Sequence, residues 1–91
     1  MPYIDFNKRA CFKTFTDSMD RLHLLDSGCL NYIITKLVHA YIRQHGVKYQ
    51  AINDVVGALE GAKLELYRRV ASPYEDKKAL ENGDVALEVE K

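Results

Sequence analysis

The stretch Ala51 to Val70, AINDVVGALEGAKLELYRRV, constrains this chain more than any other. It reads as a helix that is apolar on two sides. Advancing about 100° per residue from Ile52 places Ile52, Val55, Val56, Leu59, Leu66 and Val70 within roughly 60° of one direction. That is the stripe of a core-facing helix. A second set, Gly57, Gly61, Leu64 and Ala71, falls between about 100° and 180°. Asp54, Ala58, Glu65, Arg69 and Ser72 form the solvated strip, with Glu65 and Arg69 spaced for an i,i+4 ion pair. Lys63 lies near the middle of the main apolar face. Its stem can cover apolar neighbours while the ammonium stays wet or pairs with Glu60.

Gly57 and Gly61 each cost about 1 kcal/mol relative to alanine inside a helix. Placed one turn apart, they leave a flat groove for a close backbone approach. Two neighbours would suit it: the first or second helix of the same chain, or a helix from a second copy. Gly57, Gly61 and Leu64 are therefore the expected oligomer contact. A chain of 91 residues builds one small core and gains burial by self-association.

Formal net charge is zero, but the two halves differ. Residues 1–50 hold seven Lys/Arg and four Asp, and residues 51–91 hold six Lys/Arg and nine Asp/Glu. No overall basic surplus exists, which disfavours nonspecific nucleic-acid binding. The polarity suits contact between copies. Cys11 and Cys29 show no CxxC spacing, and a cytoplasmic protein with two reduced, mostly buried thiols is expected. There is no signal peptide and no apolar run of about 18 residues, so no membrane partner is expected.

Taken in order, Met1 to Asp5 is an extended lead-in, with Tyr3 and Ile4 placed to tuck against the bundle and Asp5 as an N-cap. The first helix is expected from Phe6 to Leu24, with a stripe of Phe12, Phe15, Met19 and Leu22. After Asp26-Ser27-Gly28, with Ser27 as cap, the second runs from Cys29 to Gln44. Its apolar face holds Leu30, Ile33, Ile34, Leu37, Val38, Tyr41 and Ile42. Gly46 ends it. The third is the central helix. Ser72-Pro73-Tyr74-Glu75 carries a capping box with proline at the first helical position, so a short fourth helix starts there or the long helix kinks. Residues 1–85 make the domain. Residues 86–91 are a tail, disordered or paired as a short strand, because Val85, Leu87 and Val89 alternate with polar or small residues. The expected fold is all-α: a small three-helix bundle plus a short C-terminal helix, homo-oligomeric.

Motifs for chemistry are sparse. His23, His39 and His45 have no i,i+4 partner of metal-ligand type, and no serine sits in a Gly-x-Ser-x-Gly elbow. No cofactor and no catalytic residue are expected. Two cationic, aromatic groupings offer recognition of a small anion. Tyr32, Lys36, His39 and Arg43 form one stripe on the second helix, opposite its apolar face. Tyr67, Arg68 and Arg69 are followed by Tyr74, Lys77 and Lys78. Arginine supplies a fork for phosphate, and tyrosine a flat face for a base or a guanidinium. Either grouping is also what a plain solvated face looks like.

The segments LNYIITKL, INDVVGALEGAKLELYRRV and PYEDKKALENGDV, spanning Leu30 to Val85, resemble a family of short uncharacterised proteins of phages, prophages and bacteria. The resemblance implies a small helical protein of the cytoplasm, the host's if phage-encoded. It brings no catalytic residue and does not cover the first 25 residues or residues 86–91. The expected function is a non-enzymatic, homo-oligomeric binding protein that sequesters a small nucleotide-type anion at Tyr67, Arg68, Arg69, Tyr74 and Lys77. The alternatives are an adaptor or inhibitor of a host protein, and a metal-dependent nucleotide hydrolase using Glu60, Glu65 or Glu81.

Overall fold

A computed structural model describes residues 1–87. The chain is all-helical, with no strand among the described residues. In order come α1 (Phe6–Ala10), α2 (Lys13–Ser18), a 3₁₀ turn (Met19–Arg21), α3 (Ser27–His45), α4 (Tyr49–Leu66), a π turn (Tyr67–Ala71) and α5 (Ser72–Asn82).

α3 and α4 form a helical hairpin. Asp26 rather than Ser27 caps α3: its Oδ1 accepts the Cys29 N–H at 2.9 Å. That contact holds the Asp26 carboxyl below its ordinary value. Gly46, at φ 88°, turns the chain out of α3, and its N–H donates to the Ile42 carbonyl at 2.7 Å. A side chain at that φ would be strained, so glycine is required there.

From Tyr49 to Asn82 the backbone stays helical. At about 1.5 Å per residue this rod is about 50 Å long, which accounts for the longest dimension of the molecule, 52 Å. The expected short fourth helix is present as α5, but it is entered through the π turn and not through a capped start at Ser72. Ser72 has helical dihedrals, φ −62° and ψ −49°, and no side-chain cap is made. The π turn takes the place of a cap. Proline cannot donate, and its ring crowds the carbonyl four residues back, here Arg69. Widening the preceding turn, with the Ser72 N–H reaching the Tyr67 carbonyl, lets the chain enter α5 at Pro73 without leaving helical dihedrals.

Residues 6–24 do not make the single helix that their spacing suggests. The Asp5 cap forms as expected, with Oδ1 accepting from the Lys8 N–H at 2.9 Å. The helix then breaks at Cys11–Phe12. Thr16 and Ser18 hydroxyls donate to the carbonyls three residues back, at 3.1 and 2.6 Å. Such bonds compete with helical ones. The stripe of this arm is also thinly covered: Phe12, Phe15, Met19 and Leu22 are all exposed. Without packing, short helices are marginal.

The same openness runs through the molecule. Ala51 is the one buried apolar residue among the described residues. It lies on the flank of α4 that meets α3, with Asp54, Val55 and Ala58 near it in sequence and on the same side. The expected solvated strip is thus partly the contact flank. Tyr41 donates to Asp54 Oδ2 at 2.9 Å and Gln50 to Asp54 Oδ1 at 2.7 Å, while the Tyr41 ring stacks on His45 at 4.1 Å. Hydrogen bonding to the Asp54 carboxylate pushes the Tyr41 phenol up. The expected core stripe is largely the open side: Ile52 is 49% exposed, Val56 59%, Leu66 55% and Val70 58%, while half-buried Val55 and Leu59, 43% exposed, line the groove toward α3. Cys11 is exposed and Cys29 half-buried, both as free thiols, so burial of Cys11 is not realised. Val85 and Leu87 are exposed, without regular structure, and the rest of the expected tail strand, residues 88–91, lies outside the described residues.

Candidate functional site

The densest polar cluster forms where the lead-in crosses the end of α4. Pro2 keeps the first residues out of a helix, and Met1 N lies 3.6 Å from where a Cβ on Gly61 would stand. The Gly61 side of the groove is therefore occupied by the chain's own N-terminus, not by a helix. An alanine there would make ordinary contact. At Gly57 a Cβ would meet nothing within 4 Å. Neither glycine is required by a close approach within the chain. Leu64 lies beside them, exposed.

Tyr3 reaches from the lead-in to the last turn of α4. Its hydroxyl donates to Glu65 Oε1 and accepts from Arg68 and from Arg69 Nη2, the latter at 3.2 Å. Arg69 Nε also donates to Glu65 at 3.1 Å, realising the i,i+4 pair, and Arg68 lies at 3.5 Å from the same oxygen. Both guanidiniums sit near the Tyr3 ring, 5.9 and 6.0 Å from its centre. The Tyr3 hydroxyl, and then the Arg69 and Arg68 charges, hold the Glu65 carboxyl below its usual value against partial burial. Tyr3 and Glu65 hold Arg69 above its own. Two guanidiniums against one carboxylate leave one positive charge at the cluster.

Of the expected anion-binding residues, the fold brings Arg68 and Arg69 together on one phenol oxygen. Tyr67, on the π turn, and Tyr74, on α5, are more than half exposed. The Tyr74 ring lies under Lys78 Nζ at 5.6 Å, and Lys78 pairs with Glu81 at 3.2 Å. Lys77 is exposed on the same helix. Sequence reasoning gave Tyr3 no role in this group, because nothing local links residue 3 to residue 65. In the second stripe, Lys36 Nζ lies 6.0 Å from the Tyr32 ring centre, with His39 and Arg43 exposed along the same helix.

The acids singled out for metal chemistry are spread apart and paired. Glu60 lies 3.4 Å from Lys63, Glu65 belongs to the arginine cluster, and Glu81 to Lys78. Among the described residues, no three His, Cys, Asp or Glu side chains come together in a way that could hold a metal ion. Nor is any described helix long and apolar enough to cross a membrane. One apolar groove of about 340 Å³ runs between α3 and α4, lined by Ile34, Leu37, Val38, Val55, Ala58 and Leu59, with the Tyr41–Asp54 pair at its edge.

A family model described as a domain of unknown function (DUF6899) matches residues 1–85. The match takes in the N-terminal arm and the lead-in, which the resemblance from Leu30 onward left out. No curated protein and no solved structure matches the chain.

Proposed function

Because the chain belongs to a family of unknown function, DUF6899, we propose a role from its own surfaces: a non-enzymatic binding protein that works as a homo-oligomer. The surplus of exposed surface supports this. A compact chain of 10.4 kDa exposes about 5,400 Å²; this one exposes 8522 Å². Its radius of gyration is 18.0 Å, against about 12 Å for a compact domain of this length. The surplus, about 3,000 Å², exceeds the roughly 2,500 Å² that each chain of a large obligate homodimer hides. Helices that bury one alanine are not held by their own packing, so the second copy supplies the core.

Mass action makes this testable. Assembly couples folding to concentration, so the melting temperature should climb by several degrees over a hundredfold rise in protein. A melting temperature that stays fixed over that range overturns the reading.

A small anion is the second reading, favoured by the two guanidiniums converging on Tyr3 with one uncompensated charge. Tyr67, Tyr74 and Lys77 would add stacking faces and a further cation. A nucleotide and cyclic-dinucleotide panel should then raise the melting temperature at saturation, and Arg68→Ala should remove the shift. No shift with any member removes this reading. The likeness to short phage and prophage proteins supports a place in a host cytoplasm, with a host protein as the competing partner.

A further inference from the structure

The open stripe that runs along α4 and onto the π turn, where Val70 lies, has an internal symmetry that says what covers it. Ile52, Val56, Leu59, Lys63, Leu66 and Val70 are separated by four, three, four, three and four residues. That is the heptad spacing of a coiled-coil seam. It also reads the same in either direction about Gly61. Laid antiparallel on a second copy, Ile52 meets Val70 of the partner subunit, Val56 meets Leu66, and Leu59 meets Lys63. Every layer closes with an apolar partner or an apolar stem, and no residue is left over.

We propose that this stripe is an antiparallel α4–α4 interface between two copies of the chain, so that two α3–α4 hairpins close into one four-helix core. The proposal rests on the homo-oligomer reading above and adds the face and its direction. The five apolar members are 43–59% exposed in the single chain. α3 lies toward the flank of Val55 and Ala58; of the seam residues only Leu59 borders the α3–α4 groove, and the others are exposed and open to another helix. The surplus area is ample for such an interface. At its middle, Lys63 pairs with Glu60 of its own chain at 3.4 Å. Two such pairs meet at the two-fold axis as a neutral group of four charges. One lysine in an otherwise apolar seam fixes register at some cost in stability. A parallel arrangement would set the two Lys63 ammoniums in one layer.

Cysteine cross-linking tests the face and direction in the full chain, with Cys11→Ser and Cys29→Ser removing the native thiols. On one helix, residues 52 and 70 are about 27 Å apart, so they cannot join within a chain. The Ile52→Cys, V70C double variant should oxidise to a covalent dimer, while I52C alone should not. Val56→Glu should weaken assembly at least about a hundredfold, since it buries an unpaired charge on each side of the seam. Cross-linking of I52C alone would show a parallel pair and overturn the proposal. An assembled protein that neither cross-links through the double variant nor dissociates with V56E would place the interface elsewhere, with the homo-oligomer reading intact. A wild-type monomer would sink both. A monomer destabilised by V56E would instead put the chain's own arm, Phe6–Arg21, on the stripe.

Discussion

Two flanks of α4 carry apolar residues, and the chain treats them oppositely. Toward α3 it presents Ala51 and Ala58, and Ala51 is sealed to 1% exposure. On the next side it presents Ile52, Val56, Leu59 and Leu66, continued by Val70 on the π turn, and leaves all five exposed, with Leu59 at the border of the α3 groove. The small side chains lie where the hairpin needs two helix axes to come close. The large ones carry most of the area worth burying and stay 43–59% exposed among the described residues. Within one chain, the flank that looks weakest on hydrophobicity is the one that packs. The strongest stripe stays open, and it is the face that we propose a second copy covers.

Breaking the sealed flank should have the largest effect. Ala51→Glu puts an unpaired carboxylate between α3 and α4 and should cost about 3 kcal/mol or more. Circular dichroism should show loss of most helix, since the hairpin is the one close pairing of long helices. The matching change on the open flank, Leu66→Glu, should keep helix content at high concentration yet weaken assembly at least about tenfold, near 1.4 kcal/mol. Equal unfolding by both variants would erase the contrast between the flanks.

A smaller effect probes the third side of the helix. Gly57→Ala has open space for its methyl and should raise stability by about 1 kcal/mol through helix propensity. A drop instead would show that another backbone rests on Gly57 in solution, moving the interface toward the glycine flank. The smallest concerns the lead-in. Glu65 is held below its ordinary value by Tyr3 and the two arginines. A depressed carboxylate stabilises the docked form above its unfolded-state pKa, near 4.5. That contribution is lost as pH falls through the lower, docked value. The protection factor of the Ile4 amide, which takes out the intrinsic pH dependence of exchange, should therefore fall below about pH 4.5 and hold steady between pH 5 and 8. Tyr3→Phe should lower it at neutral pH as well.

Much of this was legible in the sequence. The helical class, the Asp5 cap, the turn at Gly46, the Glu65–Arg69 pair and the long central helix followed from spacing and turn chemistry. What could not be read was which face meets which neighbour. A helical wheel ranks faces by hydrophobicity; it placed Asp54 and Ala58 in solvent, and both are exposed, but it could not show that they would border the groove toward α3. It cannot show that Tyr41 would bring a hydroxyl to Asp54. Ser72 and Glu75 had the residues of a capping box, but that box needs a non-helical cap residue, and the π turn kept Ser72 helical. The arm departs for a related reason: Phe12, Phe15, Met19 and Leu22 have helical spacing, yet all four stay exposed and the helix breaks at Cys11–Phe12, with little packing to hold it. In the candidate site, Arg68 and Arg69 were legible as a fork for an anion. Their capture by Tyr3 was not, because it depends on where the first residues cross the rod.

The central claim is that a second copy covers the open flank of α4, and molar mass in solution tests it most directly. Light scattering or sedimentation equilibrium at micromolar concentration should give a particle of at least twice the 10.4 kDa chain, falling toward one chain for V56E. A wild-type particle of 10.4 kDa at that concentration would contradict it.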